Sequence, residues 1–130
     1  MFQHTLISLF LAFSQTPSAQ APLPVPKPTA TTPIACAAEV KSFADAESKT
    51  AGITPGAPVT DPAQQAQLRR INTAKLAMTK ACAAMFDAKT IDASQLTAAL
   101  QLYSDANLMD QAQIALDRAL PMKTLAPVVA

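Results

Sequence analysis

Glycine is almost absent from this chain, and its scarcity constrains the fold more than any other sequence feature. The chain has two glycines and eleven prolines in 130 residues, whereas a β-rich fold needs glycine-bearing turns between many strands. Alanine, the best helix former, is the most frequent residue. Because an alanine side chain buries little apolar area, helices form easily here but are weakly driven together. The composition therefore predicts an all-α domain with a thin core.

The N-terminal quarter of the chain is predicted to lie outside that domain and to be disordered. Thr5 to Phe13 form an apolar run too short to span a bilayer, and small residues follow it. We interpret residues 1–21 as a signal peptide cleaved after about residue 14–21; an uncleaved anchor or a misassigned start codon is the alternative. Residues 22–33 carry five prolines and are predicted to form an extended linker. A proline-rich ligand for a groove-bearing partner is the functional alternative for this linker.

The predicted helical domain covers residues 34–120 and consists of two antiparallel hairpins. Apolar periodicity and breaker residues place its four helices at about 34–51, 62–88, 93–106 and 109–120. The remaining residues, 121–130, are interpreted either as a tail or as the start of a missing repeat.

Capping signals support these helix boundaries. Asp61 and Asp92 are expected to cap the second and third helices, each with a glutamine three residues later, Gln64 and Gln95, that completes a capping box. Asn107 suits the left-handed conformation that ends a helix, so it is expected to close the third one.

Apolar stripes place both cysteines at the interface of the first hairpin. The stripes consist of Cys36, Val40 and Phe43 on the first helix and of Leu68, Ile71, Met78, Cys82 and Met85 on the second. In an oxidising compartment, two such cysteines should form a disulfide, and closing a loop of about 47 residues would stabilise the fold by roughly 4 kcal/mol. Two buried free thiols are the alternative. A redox or zinc site is disfavoured, because the cysteines are far apart and the only histidine lies in the predicted signal.

The last two predicted helices combine small and large residues in a recognisable order. These are Leu96, Ala99, Leu100 and Tyr103 in the first helix and Ala112, Leu116 and Ala119 in the second. The pattern resembles a single tetratricopeptide repeat over about residues 93–124, with Leu100 in place of a small family residue. The resemblance implies that small residues let the two helices approach closely, while the larger ones fill the groove to a neighbouring unit. A generic helical hairpin is the alternative.

Charge and site residues favour a binding protein over an enzyme. Ten basic and nine acidic side chains are mixed along the chain, so no basic footprint for nucleic acid is visible. Because no phosphate loop or acid–base pair stands out, we expect no catalysis and no cofactor or metal.

The sequence therefore predicts an exported scaffold or interaction module, periplasmic or secreted, that binds a protein or peptide. No stable membrane insertion is expected after signal cleavage. Two alternatives stay open: the N-terminal helical region of a longer envelope enzyme, such as a thioredoxin-like disulfide reductase, and a small stand-alone disulfide-pinned structural protein.

Overall fold

Within the part of the chain that the structure describes, four α-helices make up the fold, as the sequence predicts. The computed structural model describes residues 21–122, so nearly all of the predicted signal peptide and most of the predicted tail lie outside the described residues. The helices are α1 (Pro33–Thr50), α2 (Pro62–Ala84), α3 (Leu96–Asp105) and α4 (Met109–Ala119), with short 3-10 turns at Ala93–Gln95 and Leu120–Met122. Residues 21–122 contain no β-strand.

Each of the first two helices starts at a side-chain cap followed by proline. Thr32 accepts a hydrogen bond from the Ala35 N–H, and Asp61 accepts one from the Ala63 N–H. Proline then occupies the first turn, where its missing N–H would have no helical partner in any case. The predicted cap at Asp61 is therefore confirmed.

Neither predicted capping box forms, because both glutamines bond across helices instead. Gln64 Nε2 donates to the carbonyl of Gly52 at 3.1 Å, and Gln95 Oε1 accepts from the Ile34 N–H at 2.9 Å. Helix termini leave backbone groups without intrahelical partners. Packing brings Gln95 within reach of the Ile34 N–H in the first turn of α1, and Gln64 within reach of the Gly52 carbonyl just after the end of α1.

The two hairpin turns end their helices in the same way. Gly52 after α1 and Asn107 after α3 have φ values of 72° and 61°. In each case the next N–H bonds back to the carbonyl five residues earlier, at 2.9 and 2.8 Å, which defines a Schellman motif. The predicted role of Asn107 is confirmed.

The second helix is four residues shorter than predicted. α2 ends at Ala84, and Met85 is 48% exposed rather than part of the buried stripe. The segment that follows, residues 85–92 (the connector), leaves the helical path and places Ala88 in the core with no exposed surface.

The helices pack as two pairs around a shared core. α1 packs on α2, α3 packs on α4, and α3 also contacts both helices of the first pair. Cys36 meets Cys82 at one end of the first pair and Gln64 meets Gly52 at the other, so α1 and α2 run antiparallel. Of the seventeen apolar residues buried within residues 21–121, eight are alanine, so the core is thin.

The proline-rich segment packs against the first hairpin and is not a free spacer. We call residues 21–30 the strap. Pro28 is buried, and the Thr29 N–H donates to the Glu39 carboxylate at 3.0 Å. At the other end, Arg70 Nε donates to the Ala21 carbonyl at 2.6 Å. Extended backbone exposes its N–H and carbonyl groups, and side chains of α1 and α2 bond some of them.

Candidate functional site

The predicted disulfide is present and joins the two helices of the first hairpin. Cys36 in the first turns of α1 and Cys82 near the end of α2 are bonded, with their Cα atoms 6.0 Å apart. Neither residue has exposed surface. Because thiol–disulfide exchange requires access to a sulfur, the bond serves as a structural cross-link.

The second hairpin is built largely from the residues that the sequence singled out. Leu96, Ala99, Tyr103, Ala112 and Ala119 are buried. Leu100 and Leu116 are only half-buried.

Sequence reasoning missed three buried residues of this hairpin: Leu102, Ala106 and Ala115. Leu102 and Ala106 follow Ala99 at helical spacing, so periodicity alone could have identified them. The tetratricopeptide pattern does not include these positions. The resemblance to a tetratricopeptide repeat itself stays a prediction.

Side chains on one side of α4 form hydrogen bonds to the backbone of the connector. Gln111 Oε1 accepts from the Ala88 N–H at 3.0 Å, while Arg118 Nη1 donates to the carbonyls of Ala88 and Ile91 at 2.9 and 2.8 Å. Gln111 and Arg118 are seven residues apart and so share one side of the helix. An arginine on a surface helix is usually solvated. Only the tertiary structure shows that Arg118 links α4 to the connector between the two hairpins.

Tyr103 contributes a buried hydroxyl to the interior. The hydroxyl has no hydrogen-bond partner among residues 21–122. Burial raises the pKa of this phenol, and the negative charge of Asp87 raises it further. Tyr103 is therefore a neutral packing residue, and its unpaired hydroxyl costs stability.

Another side of α4 exposes an apolar surface, which we call the α4 flank. It consists of Met109, Leu116 and Leu120, which fall within about 40° of one another at 3.6 residues per turn. Met109 is 56% exposed, Leu120 is 48% exposed and Leu116 is half-buried. Leu108, in the adjacent turn, is also exposed.

The α4 flank is bordered by a polar surface, the acidic stripe. Asp110, Gln113 and Asp117 are all exposed, and Gln113 Nε2 donates to Asp117 Oδ1 at 2.9 Å. The stripe faces away from the buried alanines of α4, so the helix presents three different surfaces: core, apolar flank and acidic stripe.

Comparison with known protein families, with characterised proteins and with solved structures finds nothing that matches this chain. None of the helices described here is both long enough and apolar enough to span a bilayer. Within the same residues, no three His, Cys, Asp or Glu side chains are grouped so that they could hold a metal ion. The class that the fold defines is an all-α protein of two packed helix pairs with one internal disulfide.

Proposed function

We propose that this protein is an exported helical scaffold that docks a protein partner on the α4 flank and catalyses no reaction itself. The observation that carries the proposal is the flank, where Met109 and Leu120 each leave about half of their surface in water. Covering the exposed half of each side chain would contribute about 1 kcal/mol per residue.

The acidic stripe specifies the chemistry of the partner. Asp110 and Asp117 lie exposed beside the flank, so a docked segment would meet apolar and negative surface together. An amphipathic helix that carries lysine or arginine next to its apolar side chains fits this arrangement. The charges would contribute mainly to the association rate and to partner choice.

Export is supported by two features of the chain. Residues 1–21 have the pattern of a signal peptide. The buried disulfide joins residues 46 positions apart, and such bonds persist in oxidising compartments such as the periplasm or the extracellular space.

Site-specific photo-crosslinking from α4, in cells that export the protein, tests the docking proposal. A photoreactive residue at position 109 or 120 should capture one protein, whereas position 72, which is exposed on α2, should capture little. With that partner purified, Leu120→Lys should weaken binding at least tenfold, which corresponds to about 1.4 kcal/mol. Asn72→Lys is the matched control, because it adds the same charge at an exposed position of α2, away from both the flank and the acidic stripe.

Two results would contradict the docking proposal. Equal crosslinking from position 72 and from the flank would show that the apolar surface has no special role. Crosslinks from the flank to residues 123–130 of the same molecule would show that the chain covers this surface itself.

A second candidate is a small stand-alone structural protein pinned by its disulfide. The acidic stripe supports it, because the terminal units of helical stacks present a polar outer face. Reading the coding sequence beyond Ala130 separates the candidates: further 34-residue units favour the scaffold, a stop codon favours the stand-alone protein, and an in-frame Cys-x-x-Cys domain favours a longer envelope enzyme.

A further inference from the structure

The strap occupies a groove to which both helices of the first hairpin contribute. Leu23 is half-buried over a depression of about 240 Å³, which Glu47 and Thr50 of α1 line together with Gln67 and Ile71 of α2. Further along the strap, the ring of Pro28 is buried and Ala30 packs on the core.

The polar contacts of the groove are of a kind that recognises polypeptide backbone. Arg70 Nε donates to the Ala21 carbonyl at 2.6 Å. The Glu39 carboxylate accepts from the Thr29 N–H at 3.0 Å and from the Thr29 hydroxyl at 2.6 Å. An extended segment of different sequence could satisfy the two backbone contacts equally well.

The strap has the composition of a proline-rich ligand. Prolines occupy every second position from Pro22 to Pro28, and proline favours an extended conformation that loses little entropy on binding. Of these prolines only Pro28 is buried, and the hydrogen bonds to Glu39 and Arg70 are exposed. The strap is therefore held by few contacts, most of them at the surface.

We propose that the groove between α1 and α2 is a binding site for an extended proline-rich segment of another protein, and that the strap closes this site as an autoinhibitory ligand. This surface is separate from the α4 flank, so neither proposal depends on the other. A short tether gives the strap a millimolar effective concentration at the groove. An external segment therefore binds only when it outcompetes the strap or when the strap is released.

A pair of matched substitutions tests the autoinhibition. Pro28→Asp places a charge where the strap is buried, whereas Pro26→Asp makes the same change at an exposed position. The probe is a fluorescein-labelled peptide with the sequence of residues 21–32, and its binding to the full exported chain is followed by fluorescence anisotropy. The Pro28→Asp variant should bind the peptide at least tenfold more tightly than either the wild type or Pro26→Asp. Adding Glu39→Gln to Pro28→Asp should weaken this binding at least threefold.

Equal peptide affinities of the Pro28→Asp and Pro26→Asp variants, both folded by circular dichroism, would overturn the proposal. A second measurement needs no substitution: saturating unlabelled peptide should accelerate hydrogen exchange of the Thr29 amide in the wild type, and unchanged exchange would also overturn it. The wild type could instead form a concentration-dependent dimer that Pro28→Asp abolishes. That result would show that the groove binds the strap of a second copy of this chain, and it would overturn the proposal that the groove binds a different protein.

Discussion

Breaking the disulfide is predicted to remove a large part of the stability of this protein. Cys36 and Cys82 are separated by 46 positions, and in the chain-entropy model a cross-link of this span stabilises the folded state by about 4 kcal/mol. Domains of this size have total unfolding free energies of only about 5–15 kcal/mol. Because eight of the seventeen buried apolar residues in the described part of the chain are alanine, the core has little apolar area to compensate.

Urea unfolding of the oxidised and reduced protein measures this contribution directly. At a slope of about 1.5 kcal/mol/M, a loss of 4 kcal/mol lowers the midpoint by about 2–3 M. The corresponding fall in Tm is roughly 15–30 °C for a domain of about 100 residues. A variant with Cys36→Ala and Cys82→Ala is the matched control, since it should unfold near the reduced wild type and should not respond to reductant.

The result that would refute this reasoning is a reduced protein with the same urea midpoint as the oxidised one. Such a result would mean either that the unfolded chain is already restricted without the bond, or that the packing of the helices supplies the stability assigned here to the cross-link. A double variant that still responds to reductant would invalidate the measurement itself.

Three further predictions concern single side chains. Arg118→Met should lower the unfolding free energy by about 2 kcal/mol, because it removes two hydrogen bonds from a charged donor to the connector; urea denaturation measures the loss. Tyr103→Phe should raise the unfolding free energy by about 1 kcal/mol in the same assay, because it deletes a buried hydroxyl without a partner among residues 21–122. The hydroxyl and then the N–H of Thr29 hold the pKa of Glu39 below its ordinary value of 4.5. Strap attachment is therefore complete above pH 4.5 and is lost as the pH falls through the lowered pKa of Glu39. Hydrogen exchange of the Thr29 amide, corrected for its intrinsic pH dependence, should become faster over this pH range. The Glu39→Gln variant should show no such change with pH.

Specific outcomes would contradict each of these predictions. An Arg118→Met variant as stable as the wild type would show that water replaces the arginine at the connector. A Tyr103→Phe variant that is less stable would show that the phenol has a partner in solution. Thr29 exchange that follows only its intrinsic pH dependence in the wild type would show that the Glu39 contact does not hold the strap.

Several helix boundaries could be predicted because their signals are local. Asp61 and Pro62 start α2 through backbone geometry within one turn, and Asn107 ends α3 for the same kind of reason. The cysteine pairing also followed from the sequence, since helical spacing placed both side chains at one interface.

The sequence did not predict the hydrogen-bond partners of side chains that bond to residues distant along the chain. Gln64 and Gln95 were expected to bond within their own helices, but each bonds to a backbone group at an end of α1. Arg118 reaches backwards by 27 and 30 residues to the connector. The strap belongs to the same group, because its prolines alone indicate only an extended chain.

Sequence alone determined that this protein is helical, where its two hairpin turns lie and that its two cysteines are bonded. These properties follow from backbone preference and from apolar spacing over a short stretch of helix. Only the tertiary structure decided how the hairpins are fastened, where α2 stops and that the proline-rich segment is a bound strap. The physical reason is that a hydrogen-bonding side chain takes the unpaired backbone group that packing brings within about 3 Å, and local sequence does not show which group that will be.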